Sequence, residues 1–200
     1  MLPKSIGIFG GTFDPIHLGH LHLAREVLKK TDLDTILFIP CYRSAYKKPI
    51  FATPSQRVAM LRLAIKGEEK FCLDTREIQR KDISYTIDTL LSLQTDYPKT
   101  KFYLILGADS FALFSTWHKW QDILKLANLI VVDRPDTSLE SELISARMLG
   151  KKNKIKFVQI NALSIAATEI RDLIKLGKSI EHLVPKSVCK YIKKNGLYLK

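Results

Sequence analysis

Long apolar segments are missing from this sequence, and their absence argues against a membrane protein. No run of residues is apolar enough to span a bilayer, and no secretory apolar segment follows the N-terminus. Cysteine is also scarce: Cys41, Cys72 and Cys189 lie far apart, and no CxxC pair with metal-site spacing occurs. We therefore expect a protein of the reducing cytoplasm with no membrane partner.

Acidic residues are outnumbered by basic ones, which favours anionic partners. The 200 residues include 32 lysines and arginines but only 20 aspartates and glutamates, giving a formal net charge of +12. Such a balance suits nucleic acid or polyphosphate nucleotides, although a generally basic surface is the simpler interpretation. The chain has no arginine-rich tail and no recognisable nucleic-acid-binding motif, so nucleic acid is not expected as its main partner.

Internal repeats and low-complexity segments are absent, and short apolar runs instead alternate with amphipathic segments. Strands are predicted at residues 5–9, 35–39, 71–73, 101–106, 129–132 and 155–160. Helices are predicted at residues 16–30, 55–66 (capped by Ser55), 85–93, 120–126, 139–149, 168–176 and 185–196. This alternation predicts an α/β fold, with a Rossmann-like doubly wound parallel sheet between two layers of helices.

The length of the chain suits one domain, which we assign to residues 1–200 with a small helical part at about 164–200. In doubly wound sheets, ligands bind beyond the carboxyl ends of the strands. Three segments fall there: the glycine turn after the first strand, the loop after Pro40 and the turn at Gly107. These segments are therefore the first place to look for a binding site.

Residues 6–20, IGIFGGTFDPIHLGH, predict a buried strand, a glycine turn and a helix start. The glycine pair 10–11 has no Cβ atoms, so the backbone there can approach a ligand closely. Asp14 is a suitable N-cap, and Pro15 suits the first helical position. The N-terminus of such a helix exposes free N–H groups and the positive end of a dipole, so it is predicted to bind an anion.

Two histidines lie on the first turn of this predicted helix. Because His17 and His20 are three residues apart, they share one helix face. Gly19 between them is expected to leave room for a flat base or a phosphate. The spacing lacks the glutamate of a metal-binding HExxH motif, so we interpret the pair as imidazoles that bind phosphate rather than metal.

A second helix start lies in the segment 164–171, SIAATEIR. Ala167 and Thr168 would offer backbone N–H groups to phosphates, and Arg171 would add fixed charge and forked donors. Taken alone, the segment also fits a helix cap beside a surface arginine. Paired with the histidine motif, it predicts a second phosphate-binding element.

Other polar and aromatic residues follow predicted strand ends. Gly107 and Asp109 form a turn in which the carboxylate can accept hydrogen bonds from ribose hydroxyls or cap a helix. Trp117 offers a flat surface on which an electron-poor ring can stack. Lys47 belongs to a basic loop that can clamp phosphates, although solvated loop charge is the alternative interpretation.

The run 10–20 resembles the GxFDPxHxGH signature of the HxGH nucleotidyltransferases, and within them it is most similar to the bacterial nicotinate-mononucleotide adenylyltransferases. A second signature of this superfamily is matched by Thr168 and Arg171. The chain departs from the family at Ala166, where serine is usual, and at Tyr46, where histidine is usual.

The resemblance implies a nucleotidyltransferase that moves the adenylyl group of ATP to nicotinate mononucleotide in NAD biosynthesis, acting as a monomer or homodimer. It implies that Mg²⁺ accompanies ATP and that the protein itself has no dedicated metal site. Catalytic roles are implied for His17, His20, Lys47 and Arg171. Contacts with ATP are implied for Gly10, Gly11, Thr12, Phe13, Gly19, Gly107, Asp109, Ala167 and Thr168. Contacts with the acceptor are implied for Tyr85, Thr86, Trp117 and Arg134.

Two alternatives stay open at this point. The acceptor could be another mononucleotide, such as nicotinamide mononucleotide. The chain could also be a nucleotide-binding regulator with a degenerate site, an interpretation that rests on Ala166 and Tyr46. The presence of His17, His20 and Arg171 argues against a degenerate site.

Overall fold

Six parallel strands form one sheet in the computed structural model of this chain, which describes residues 2–45, 49–133 and 154–199. In chain order the strands are β1 (Ser5–Gly11), β2 (Thr35–Pro40), β3 (Arg43–Ser44), β4 (Phe71–Leu73), β5 (Ile83–Ser84), β6 (Lys101–Gly107), β7 (Ala127–Asp133) and β8 (Ile155–Gln159). The six-stranded sheet has the order β4-β2-β1-β6-β7-β8, while β3 and β5 pair separately.

Strands lie on both sides of β1, as expected for the predicted doubly wound sheet. All six predicted strands are present, with bounds that differ by at most two residues. The strands β1 and β6 lie side by side, with Ile8 opposite Leu104, although they are far apart in the sequence. Counted along the chain, the six strands have the 3-2-1-4-5-6 order of a doubly wound sheet. The predicted fold class is therefore confirmed.

Helices cover both faces of this sheet. In chain order they are α1 (Leu18–Lys30), α2 (Pro54–Ala64), α3 (Arg76–Arg80), α4 (Thr86–Asp96), α5 (Ala108–Ala112), α6 (Trp120–Leu126), α7 (Ala167–Lys175) and α8 (Lys186–Lys194). Among those within the described ranges, none has both the length and the hydropathy needed to cross a bilayer. The helix predicted at residues 139–149 lies outside the described residues.

Alternating side chains divide the core between the two faces of the sheet. On β7, Leu129 and Val131 pack with α4 and α6, whereas Ile130 and Val132 belong to the core on the other face. That second core also contains apolar residues of α1, α2, α7 and α8. The sheet is therefore the middle one of three layers.

Helix starts differ from the prediction by up to two residues, and two of these differences have a clear local cause. The first helix begins at Leu18 rather than at residue 16, because its N-cap is His17. The second begins at Pro54, because Thr53 rather than Ser55 is its N-cap. The Gln56 N–H donates to Thr53 Oγ1 at 3.3 Å, and the Thr53 N–H donates to Gln56 Oε1 at 2.8 Å. The short elements α3, α5, β3 and β5 have no counterpart in the prediction.

The C-terminal residues fold back onto the loop after β1. Tyr198 is only 7 % exposed, and its hydroxyl donates to Asp14 Oδ1 at 2.7 Å. Burial, and then the neighbouring carboxylate, raise the pKa of Tyr198, so its hydroxyl remains a donor. This hydrogen bond therefore ties the C-terminal segment to the loop after β1.

Tyr198→Phe removes this hydroxyl and keeps the ring. We expect the free energy of unfolding to fall by about 1.5–3 kcal/mol, because a buried carboxylate loses a hydrogen-bond donor. Urea unfolding measures the difference. Tyr191→Phe, at a partly buried tyrosine of α8, is the matched control and is expected to cost less. Equal losses in the two variants would contradict this role for the Tyr198 hydroxyl.

Candidate active site

The side chain of Asp14 fixes the loop between β1 and α1. Its carboxylate is 4 % exposed and accepts hydrogen bonds from Phe51 N at 2.7 Å, Ala52 N at 3.1 Å and the Tyr198 hydroxyl. Asp14 is therefore not the N-cap of α1, and that prediction was wrong, because distant donors occupy both carboxylate oxygens. The N-cap is His17, which has an extended backbone.

The two predicted histidines stack on each other at the start of α1. Their ring centroids are 3.6 Å apart, and the angle between the ring planes is 28°. The backbone N–H of His17 donates to His20 Nδ1 at 3.3 Å, so neutral His20 carries its proton on Nε2. His17 Nδ1 is buried and has no hydrogen-bond partner among the described residues. The prediction that the pair shares one face is confirmed.

Burial keeps both histidines uncharged near neutral pH. It lowers the pKa of His17 from 6.5 to about 4. The pKa of His20 is also well below its ordinary value, first because of burial and then because of the adjacent His17. An anion bound beside the rings would favour the protonated form and raise both pKa values.

Gly19 is required by the histidine stack itself. A Cβ atom at this position would lie 3.1 Å from His17 Nδ1 and 3.2 Å from its Cε1. The space predicted to hold a base or a phosphate is therefore occupied by the His17 ring. At Gly10 and Gly107, by contrast, a Cβ atom would meet nothing within 4 Å, so the backbone there is open to a ligand.

Arg171 connects the two predicted phosphate-binding elements. Its Nη1 donates to the backbone oxygen of Asp14 at 2.8 Å, and its Nη2 donates to Thr168 Oγ1 at 3.1 Å. The guanidinium carbon also lies 4.5 Å from the centre of the Phe51 ring. The N-cap of α7 is Ala166, which makes no side-chain hydrogen bond to the first helical turn.

A cleft of about 430 Å³ lies where β1 and β6 end, at the point where the strand order reverses. It is lined by eight predicted site residues, namely Gly10, Gly11, Thr12, Tyr85, Thr86, Gly107, Asp109 and Trp117. One wall is aromatic: the rings of Tyr85 and His118 are 4.6 Å apart, and Trp117 packs against Phe114 at 5.5 Å. His118 was not among the predicted residues.

Other predicted residues lie beside the cleft rather than in it. Its described lining does not include Phe13, His17, Gly19, His20, Ala167, Thr168 or Arg171. The Phe9 ring links the two regions, since it lines the cleft and its centroid is 6.0 Å from that of His20. Lys47 and Arg134, with Tyr46, fall outside the described residues.

Phe13 departs from the role predicted for it. It is buried, and its φ of 50° places it in the left-handed region, which is uncommon for a residue other than glycine. A Cβ atom at Gly11 would lie 3.0 Å from the Phe13 ring. At Gly11, therefore, the missing Cβ makes room for a side chain of the protein itself, and Phe13 acts as a core residue of the loop.

A buried arginine below the loop was missed by the sequence analysis. Arg57 of α2 is 0 % exposed and donates to the backbone oxygens of Thr12 at 2.7 Å and Tyr42 at 3.3 Å. A signal was available, because Arg57 precedes the buried residues Met60 and Leu61 by three and four positions. It therefore lies on the apolar face of its helix.

Two further buried groups of the cleft wall have no sequence signal. Glu77 and Cys41 both line the cleft, and burial raises the pKa of each above its ordinary value. Each lies in a short element or at a strand end, where periodicity gives no information. Within the described ranges, no three His, Cys, Asp or Glu side chains are grouped as metal ligands.

The low pKa of His17 predicts a specific acid sensitivity. Between about pH 6.5 and 4 the unfolded chain binds a proton at this residue and the folded chain does not. The free energy of unfolding should therefore decrease as the pH falls through this window, by up to about 1.4 kcal/mol per pH unit from this residue. Urea unfolding across the window, compared with His17→Asn, measures this slope.

The variant His17→Asn is expected to show a shallower decrease than the wild type. His182→Asn, at an exposed histidine, is the matched control and should keep the wild-type slope. If His17→Asn and the wild type lose stability in parallel over this window, the buried neutral state of His17 is refuted.

Comparison with known proteins places the chain in a family. A family model described as cytidylyltransferase-like matches residues 8–173. A probable nicotinate-nucleotide adenylyltransferase of Pseudomonas syringae pv. tomato is 39 % identical, over 98 % of this chain and 95 % of its own length. One from Cellvibrio japonicus is also 39 % identical, over 97 % of this chain and 98 % of its own length.

Solved structures show the same fold. The nicotinic acid mononucleotide adenylyltransferase of Plasmodium falciparum, complexed with APC, aligns with a TM-score of 0.78 at 22 % identity over 98 % of this chain and 97 % of its own. Its complex with NaAD aligns with the same TM-score at 21 % identity and the same coverage. By its sequence relatives, this chain belongs to the cytidylyltransferase-like nucleotidyltransferases and, among them, to the nicotinate-nucleotide adenylyltransferase family.

Proposed function

We propose that this protein transfers the adenylyl group of ATP to nicotinate mononucleotide, forming nicotinate adenine dinucleotide and pyrophosphate in the cytoplasmic synthesis of NAD. The family of the chain supports this reaction. The observation that carries it is the stacked pair His17 and His20 at the N-terminus of α1, next to a cleft at the switch point of the sheet. No nucleic acid or membrane partner is required.

The chemistry needs positioning and charge neutralisation more than covalent help. A phosphate oxygen of the mononucleotide attacks the α-phosphorus of ATP in line. The bond from that phosphorus to the bridging oxygen breaks, and pyrophosphate leaves with the electron pair. We assign His20 Nε2, an N–H donor in the neutral ring, and His17 to the phosphate oxygens that gain charge. Arg171 and Lys47 add fixed positive charge.

The ATP side of the site is assigned to both helix starts and to the open backbone of the cleft. The residues proposed to contact ATP are Gly10, Gly11, Thr12, Gly107, Asp109, Ala167 and Thr168. Phe13 supports the loop from the core, and Gly19 makes room for the His17 ring. ATP is proposed to enter as its magnesium complex, because Mg²⁺ is usually held by phosphate oxygens and waters with few protein ligands.

The acceptor side is assigned to the aromatic wall and the start of α4. The N-cap of this helix, Tyr85, makes no side-chain cap hydrogen bond, and its N–H already donates to Ile83 O at 3.1 Å. The carboxylate of nicotinate would therefore be bound by Thr86, at the positive end of the helix dipole. We assign ring stacking to Trp117 and the acceptor phosphate to Arg134.

Pyrophosphate release in the presence of ATP and Mg²⁺ tests the reaction and the acceptor together. Nicotinate mononucleotide, nicotinamide mononucleotide and phosphopantetheine are compared side by side, and the product is identified by mass. We expect strong release with nicotinate mononucleotide and formation of its adenine dinucleotide. Release only with another acceptor would refute the assignments of Thr86 and Trp117. No release with any acceptor from folded protein would favour a nucleotide-binding regulator.

His20→Ala tests the phosphate role of the histidine pair. We expect kcat to fall on the order of 100-fold, as for the loss of one positioned donor to a developing charge. His22→Ala is the matched control, because His22 lies on the same helix and contacts the backbone oxygen of Asn161. Circular dichroism checks that both variants are folded. If folded His20→Ala turns over at the rate of the control, His20 does not stabilise the transition state.

A further inference from the structure

A network of buried polar contacts runs beneath the cleft, and the proposed transfer step does not use it. At one end, Arg57 donates to the backbone oxygen of Thr12 in the loop after β1. The same guanidinium donates to the backbone oxygen of Tyr42, which follows β2. The backbone N–H of Tyr42 in turn donates to Ser84 Oγ at 3.0 Å. Three segments that are distant in sequence are thus joined.

The other end of this network lies under the start of α4. The Ser84 hydroxyl interacts with the carboxyl group of Glu77, and Thr89 Oγ1 donates to Glu77 Oε1 at 2.6 Å. Arg80 Nη2 donates to the same Thr89 oxygen at 3.3 Å. The pairing of β3 with β5 adds backbone contacts, with Ser44 opposite Ser84. The network therefore extends from the proposed ATP side of the cleft to its proposed acceptor side.

The buried charge of Arg57 in this network is costly for the stability of the fold. Arg57 is fully buried, and the ion pairs found within the described ranges do not include it. Its Nε is buried with no hydrogen-bond partner in those ranges. Burying an ionised group without an opposite charge costs several kcal/mol, and an apolar residue of similar volume is often as stable or more so. Packing therefore does not explain an arginine at this position.

We propose that Arg57 and Glu77 are positioning residues for adenylyl transfer. From beneath the cleft, they hold the loop after β1, at Thr12, and the segment before α4, at Ser84, in one fixed arrangement. Arg57 acts on Thr12 and Tyr42 through its two forked donors, a geometry that lysine cannot reproduce. Glu77 acts on Ser84 and, through Thr89, on the first turns of α4. The proposal rests on the proposed reaction.

Steady-state kinetics of Arg57→Lys and Glu77→Gln test this role. Arg57→Lys keeps the charge but loses the fork, and kcat is expected to fall about 10-fold or more, since small displacements of reacting groups are expensive in rate. Glu77→Gln is expected to raise KM for nicotinate mononucleotide about 10-fold and to change KM for ATP by much less. Because both residues belong to one network, the double variant should lose less than the product of the two single losses.

The ion pair Arg25–Glu68 supplies matched controls away from the cleft. Arg25→Lys and Glu68→Gln make the same chemical changes and should keep wild-type kinetic constants. Folded Arg57→Lys with an unchanged kcat, equal changes of both KM values in Glu77→Gln, or fully multiplicative losses in the double variant would each overturn the proposal.

Amide hydrogen exchange of the substrate-free protein tests the same contacts without any turnover. In Arg57→Lys, exchange is expected to become faster in residues 11–14 and at Tyr42, because local opening costs less when the fork is lost. Unchanged exchange there would overturn the positioning role. If the wild type shows no adenylyl transfer but exchange changes as expected, the proposed reaction fails and the structural contacts stand.

Discussion

The Asp14 carboxylate is the interaction on which the site depends. A buried carboxylate needs its hydrogen bonds satisfied, and here the donors come from segments 37, 38 and 184 positions away in the sequence. The backbone oxygen of the same residue accepts from Arg171 of α7. One residue therefore brings the segment before α2, the C-terminus and the predicted second phosphate-binding element to the loop after β1.

The position of the histidines follows from this arrangement. With Asp14 engaged elsewhere, the helix starts at Leu18, two residues later than predicted, and His17 rather than Asp14 occupies the N-cap. The His17 ring is then buried against His20, with Gly19 leaving just enough room for it. The low pKa values of both rings are a consequence of that burial. Local helix rules predict a cap at Asp14, and long-range hydrogen bonds override them.

Residues proposed to face a ligand were easier to identify in the sequence than residues that support them. The glycines, histidines and Arg171 stand in local patterns of strand end and helix start, which a sequence displays directly. Glu77 and Arg80 lie in a polar stretch that resembles a solvated surface, and only the pairing of β3 with β5 brings them under the cleft. Two-residue strands have no periodicity to detect. The long central strands, in contrast, stand out in the sequence as apolar runs buried on both faces.

The charge of the site changes with its ligand. In the free protein both histidines are neutral, because burial lowers the pKa of each ring and the adjacent His17 lowers that of His20 further. A polyphosphate would reverse this balance: it supplies negative charge, and the pKa values of the rings rise as it binds. Arg171 would then provide permanent attraction, whereas the histidines would become charged only beside an anion. A site built in this way avoids the cost of two buried adjacent cations in the empty state and can still present them to a triphosphate.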